Sequence, residues 1–168
     1  MPRLQRIMPC LWFDSDAEPA ANFYVSVFPN SRVKTISRYG EAGFEQHRRP
    51  AGSVMVVIFE LDGQELMGLN GGPVFKFTEA ISLVVHCDTQ DEIDHFWNKL
   101  GEGGDPRAQQ CGWLKDRYGL SWQVVPTRLH ELLADPKPEQ VARVTEAMLR
   151  MKKFDIAELE RARVGKAG

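Results

Sequence analysis

"AISLVVHCDTQDEIDHFWNKL" (residues 80–100) repeats in outline an earlier stretch of the same chain, "IMPCLWFDSDAEPAANFYVSVF" (residues 7–28). Each begins with a mainly apolar run of strand length, passes through an acidic or hydroxyl-bearing turn, and continues with apolar residues at helical spacing. Ser15-x-x-Glu18 and Thr89-x-x-Glu92 both fit a capping box, in which a hydroxyl and a glutamate satisfy free N–H groups at a helix start. Pro19 falls in the first helical turn, where its missing N–H costs little. Ala20, Phe23, Tyr24 and Val27, and then Ile93, Phe96, Trp97 and Leu100, mark one buried face on each helix. The aromatic pairs Phe23-Tyr24 and Phe96-Trp97 stand 73 positions apart (96 minus 23). The chain reads as a duplicated unit.

Three strand-like stretches follow the first helix: "RVKTISRY" from 32, "SVMVVIFELD" from 53 and "QELMGLN" from 64. Asp62-Gly63 joins the last two and signals a tight hairpin. After the second helix a short strand near Pro106 to Gln110 is expected before "CGWLKDRY" and "SWQVVP". The plan is β-α-β-β-β twice, with the second copy trimmed. Gly40 to Gly52, "GEAGFEQHRRPAG", reads as a mobile polar surface loop. From Arg128 the composition becomes helical, broken by Pro136 and Pro138, with Asp135 placed to cap the helix that follows. Val141, Val144, Ala147 (or Met148) and Met151 form an apolar stripe, more often core or subunit contact than a cofactor site.

The bulk numbers exclude several classes. The chain has 168 residues, 43% hydrophobic and 26% charged, with a net charge of −2. That length buries a sizeable core without disulfides or metal. No long basic run supplies the electrostatic footprint of nucleic-acid binding, so no nucleic-acid partner is expected. Cys10, Cys87 and Cys111 show no C-x-x-C spacing, which points to neither a disulfide framework nor a zinc knuckle. No apolar run reaches the length of a membrane span, so no membrane partner is expected. Met1 to Arg6 leads straight into strand-like sequence without the apolar core of a signal peptide, and a cytoplasmic location is expected.

The stretches "FDSDAEPAANFYVSVFPNS", "FELDGQELMGLNGG", "FKFTEAISLVVHCDTQDEIDHFW" and "CGWLKDRYGLSWQVVP" resemble the vicinal oxygen chelate superfamily of glyoxalase I and bleomycin-resistance proteins. More closely they are similar to its PhnB-like group, whose members often carry the name 3-demethylubiquinone-9 3-methyltransferase. The resemblance covers residues 4 to 126. It implies an α+β fold in which paired βαβββ modules (residues 4–70 and 80–126 of a domain over 1–126) form a curled mixed sheet around a small-molecule cavity. Residues 127–168 are then a C-terminal helical extension, and the assembly is expected to be a homodimer.

The resemblance also implies a divalent metal held by four side chains, one from the first and last strand of each module. Two histidines and two carboxylates suit zinc or iron while leaving positions for a chelating substrate. In this chain the first of those positions falls at or next to Pro9, its counterpart one repeat later at Ser82, and the final-strand position at Gln123. The fourth lies within Leu66 to Asn70, which holds no carboxylate and no histidine. His86 stands four residues beyond Ser82, about 13 Å along an extended strand, too far to substitute. No metal and no other cofactor is expected.

What remains is a polar amide among apolar neighbours. Gln123 reads either as the uncharged relic of a ligand position that now holds a small molecule, or as an amide bonded to Ser82 or the backbone. Strand alternation places Gln123 with Ser121 and Val125, and Ser82 with Val84 and His86. Candidate ligand-binding residues are Ser82, Gln123, Asn70, Trp113, Cys111 and Tyr118; Trp12 and Trp122 are either pocket walls or core. Cys111 has Lys115 nearby to lower its pKa but no local histidine, so an inert thiol is favoured over a nucleophile. The leading expectation is a metal-independent protein that binds a small apolar or aromatic molecule. The alternative is a metal-independent enzyme of the isomerase or lyase type. Methyl transfer is disfavoured, because neither Gly71-Gly72 nor Gly103-Gly104 leads into the helix of an S-adenosylmethionine loop.

Overall fold

The first apolar run becomes strand β1 (Cys10–Phe13), followed by helix α1 (Ala17–Val27), strands β2 (Arg32–Arg38), β3 (Val54–Leu61) and β4 (Gln64–Asn70). The computed structural model describes residues 5–165 and divides between Lys76 and Phe77 into two compact units. In the first, the four strands form one mixed sheet in the order β1-β4-β3-β2, with β1 parallel to β4 and the other pairs antiparallel. Asp62 and Gly63 both adopt positive φ, 44° and 85°, as the two-residue turn between β3 and β4 requires. The loop expected over Gly40 to Gly52 contains a single helical turn, α2 (Phe44–His47), with a left-handed residue on either side, Gly43 and Arg48.

Leu11, Phe13, Val57, Phe59, Leu61 and Leu66 pack one sheet face against Ala17, Ala20, Ala21, Tyr24 and Val27 of α1, all buried. The expected Ser15 capping box is not what starts that helix. Its N-cap is Asp16, which makes no side-chain cap, and the N–H of Ala17 donates instead to Asn70 Oδ1 at the end of β4 (2.9 Å).

The second unit contains β5 (Leu83–Cys87), α3 (Gln90–Gly101), β6 (Trp113–Lys115) and β7 (Ser121–Pro126). Here the capping box is complete: Glu92 N–H donates to the Thr89 hydroxyl, while the Glu92 carboxylate accepts from the Thr89 N–H. The sheet order is β5-β7-β6, with β5 parallel to β7 and β6 antiparallel to it. This is the first sheet's order without its outer strand. Pro106 to Gln110 does not form the strand expected there. Pro106–Ala108 is a 3-10 helix capped by Asp105, and Gln110 makes one isolated bridge to Trp113.

The C-terminal helices α4 (Arg128–Leu133), α5 (Pro138–Arg150) and α6 (Ile156–Val164) belong to this second unit. The segment after α5 docks on the start of β6, where Met151 and Lys152 carbonyls accept from the N–H groups of Cys111 and Gly112, each at 2.8 Å. Val144, Ala147 and Met151 are buried, so most of the apolar stripe is core. Asp135 does not cap α5, whose N-cap is Lys137. Its carboxylate accepts from the Lys137 N–H and pairs with Arg163 at 2.8 Å.

Superposing the two modules in sequence shows one slip. Helix positions correspond at the 73-residue spacing, with Tyr24 and Trp97 buried alike. Strand positions correspond at 74 (85 minus 11), because the inward residues Leu11 and Phe13 match Val85 and Cys87. Three residues separate β1 from α1, whereas two separate β5 from α3.

Candidate functional site on the second sheet

Alternation along β7 sends Trp122 and Val124 inward, with Val85, Cys87 and Leu114, against Ile93, Trp97 and Leu100 of α3. The opposite face is a short polar and aromatic surface. Across the strands, Trp113, Gln123 and Val84 stand in one row. In the next row Lys115 faces Ser121, and Ser82, one alternation before Val84, continues toward β5. Gln123 Nε2 donates to Ser82 Oγ at 2.8 Å, so these two candidates do meet, and they are bonded to each other.

Beside this face, toward the 3-10 helix that replaces the missing strand, lies a cavity of about 410 Å³. Trp113, Lys115, Ser121, Cys111 and Gln110 are on its wall, with Glu79 at its mouth. The Ser121 hydroxyl, in a side chain only 1% exposed, has no hydrogen-bond partner among the described residues. Buried hydroxyls are normally satisfied, and an unsatisfied one carries a desolvation penalty of roughly 1–3 kcal/mol. Lys115 Nζ pairs with Glu79 Oε1 at 2.5 Å, and that hydrogen bond holds the Glu79 carboxyl below its ordinary value. Burial pushes the Cys111 thiol up, and it pushes Cys87 up to about 12. Neither cysteine is an activated nucleophile.

The remaining candidates have other duties. Asn70 lies in the first unit, buried, with Oδ1 accepting from Ala17 and Nδ2 donating to the Val54 carbonyl at 3.1 Å. It ties β4 to α1 and β3 and is not part of the second-sheet site. Tyr118 is half-buried in the turn before β7 and does not line the cavity. That turn is organised by a residue that the sequence pattern did not single out. Asp116, 2% exposed, accepts from the N–H groups of Tyr118 (2.8 Å) and Leu120 (3.1 Å) and from Trp122 Nε1 (2.8 Å). Trp122 is therefore core. Trp12 meets Phe75 edge-on at 4.9 Å and donates to the Gly72 carbonyl. His86 is exposed beside His130, with ring centroids 5.5 Å apart.

The strand slip refines the metal positions that the resemblance implies. Ser82 corresponds to Met8 rather than to Pro9, and Gln123, opposite Val84, corresponds to Met67, opposite Cys10. Two thioethers, a hydroxyl and an amide do not fit a hard or borderline divalent cation, and the amide is already bonded to the hydroxyl. No group of three His, Cys, Asp or Glu side chains suited to a metal occurs among the described residues. An S-adenosylmethionine loop does not fit either. A side chain at Gly71 would meet the Trp12 ring at 2.1 Å, and one at Gly104 the Lys115 carbonyl at 2.0 Å. Neither glycine pair leads into an α-helix: a coil precedes β5 after the first, and the 3-10 helix follows the second. No helix among the described residues is long and apolar enough to cross a membrane.

A family model described as 3-demethylubiquinone-9 3-methyltransferase matches residues 5–125. Among solved structures, a PhnB protein from Bacillus cereus is 39% identical, with 73% of this chain and 100% of that chain covered and a TM-score of 0.62. Protein PA1353 from Pseudomonas aeruginosa is 22% identical over 74% of this chain and 98% of that one, with a TM-score of 0.55. The fosfomycin resistance protein FosX from Listeria monocytogenes is 13% identical over 77% and 98%, with a TM-score of 0.48. No curated relative matches.

Proposed function

Since the chain belongs to the 3-demethylubiquinone-9 3-methyltransferase family, in the PhnB-like group of the vicinal oxygen chelate superfamily, we propose that it uses a fold of that superfamily without the metal, as a binding protein for a small apolar or aromatic molecule. The site is the open face of the second sheet. The observation that carries this reading is the Ser121 hydroxyl, buried without a partner on the wall of a cavity of about 410 Å³. A fold tolerates such a group where a ligand completes it, and the volume lies within the range of small-molecule sites. Trp113 supplies an aromatic wall, and the Gln123–Ser82 pair, half-buried beside it, offers a carbonyl and a hydroxyl that a ligand can share.

The family description names methyl transfer. Neither Gly71-Gly72 nor Gly103-Gly104 opens an α-helix, which argues against an S-adenosylmethionine loop at either, so no methyl-transfer step is assigned. The test is a thermal-shift screen with neutral and charged single-ring aromatics, run on the purified protein with and without chelator. A ligand that stabilises the chain equally in both conditions, and less so in Gln123→Ala, supports the reading. Stabilisation that vanishes with chelator, together with one divalent ion per chain by elemental analysis, overturns it.

A further inference from the structure

Resting on that binding reading, we propose that the molecule taken by the second sheet is a small organic acid, whose carboxylate replaces Glu79 on Lys115 while its apolar or aromatic body lies along Trp113. Lys115 and Ser121 are direct partners across β6 and β7. Both residues line the cavity, where the Ser121 hydroxyl is buried and takes no hydrogen bond from the Lys115 ammonium. A carboxylate offers two oxygens, one to accept from the ammonium and one to accept from the hydroxyl once the Ser121 side chain turns toward the ligand. Charge-assisted bonds of this kind are the stronger class.

The existing partner of Lys115 is poorly matched to it. The Lys115 side chain is 25% exposed, whereas that of Glu79 is 62% exposed. Glu79 sits between β4 and β5, outside any helix or strand. Released from Lys115, Glu79 regains water readily. The Lys115 side chain, less exposed, regains less. An ion pair with one solvated arm holds weakly, so a ligand carboxylate that also bonds Ser121 displaces it. Asp105 is the other carboxylate in the field of Lys115, but it is tied to Arg107 at 2.8 Å. A neutral ligand gains nothing from the ammonium and leaves the Glu79 pair standing. Trp113 lies two residues before Lys115 on the same face, about 7 Å along the strand, which is the reach of a single-ring acid. Glu79 thus behaves as an internal competitor that occupies the anion position until a ligand arrives.

Benzoate and benzamide, equal in shape and different in charge, are the probes. Calorimetric titration is combined with amide chemical shifts at Trp113, Lys115 and Ser121. Benzoate is expected to bind about five-fold or more tightly than benzamide. Glu79→Gln, at an exposed position, is expected to raise benzoate affinity about three-fold and to leave benzamide unchanged. Lys115→Met removes the difference between the two probes. Equal affinities in the wild type and no response to Glu79→Gln overturn the organic-acid assignment and leave the binding reading intact. No shift at those three residues with either probe overturns both.

Discussion

The two modules share a topology and a helix-covered core, yet corresponding rows of their open sheet faces differ, the first sheet keeping its charges Arg32, Glu60 and Glu65 in a row at one end. On the first sheet the rows Cys10–Met67–Ile58–Thr35 and Trp12–Leu69–Val56–Ser37 contain no ionisable group except the Cys10 thiol, and burial pushes that thiol up. On the second, Lys115, Ser121, Ser82 and Gln123 stand together, one of them without a partner. The matching positions Met67 and Gln123 show the contrast at one site. The inward positions, which hold the fold, are apolar in both modules, and the outward ones differ. The loss of the fourth strand in the second module leaves room beside β6 for the cavity.

The hairpins differ in the same way, and substitutions there give the largest effects. The β3–β4 turn rests on positive φ at Asp62 and Gly63 with only exposed side-chain bonds between Asp62 and both Ser31 and Asn30, while the β6–β7 turn depends on the buried Asp116 carboxylate. Asp116→Ala leaves the Trp122 Nε1–H and the Leu120 N–H buried without acceptors, and a loss of about 3 kcal/mol is expected in urea unfolding. Asn70→Ala removes the acceptor at the start of α1 and the donor to Val54, with an expected loss of about 2 kcal/mol. Gly63→Ala meets open space, so only the positive φ resists it, and about 1 kcal/mol is expected. If Gly63→Ala proved costlier than Asp116→Ala, the contrast between the hairpins would be wrong.

Cys87 sharpens the comparison at high pH. Its folded pKa is raised from 9.0 to about 12, chiefly by burial and then by Glu92 and Asp88. The unfolded chain therefore releases the thiol proton first. The contribution is absent below pH 9.0, and stability falls as pH rises from there toward 12. Cys87→Ala should show a shallower decline over that window, measured as unfolding free energy against pH. An unchanged slope would place the thiol in a more open setting.

The sequence carried the element order of the first module, because its strands are rich in β-branched and apolar residues and Asp62-Gly63 is an unambiguous turn. It misled wherever a distant residue took over a local role. Ser15 looked like a cap, but the extra residue between β1 and α1 moves the helix start, and Asn70 supplies the acceptor from 53 positions away. The strand expected at Pro106 to Gln110 became a 3-10 helix because Asp105 and Pro106 favour a helical start. Ser121 was placed on the right face by alternation, yet its lack of a partner is a property of packing that no local pattern reveals. Asp116 had a readable signal, an acidic residue opening a four-residue turn before a tryptophan, but its burial did not.

Thermal unfolding of Ser121→Ala beside the wild type, with and without benzoate, tests the account most directly. If the hydroxyl is kept for a ligand, its removal leaves the unliganded protein more stable, by about 1 kcal/mol, and weakens the stabilisation by benzoate. A less stable unliganded variant, or one that responds to benzoate as the wild type does, would contradict it.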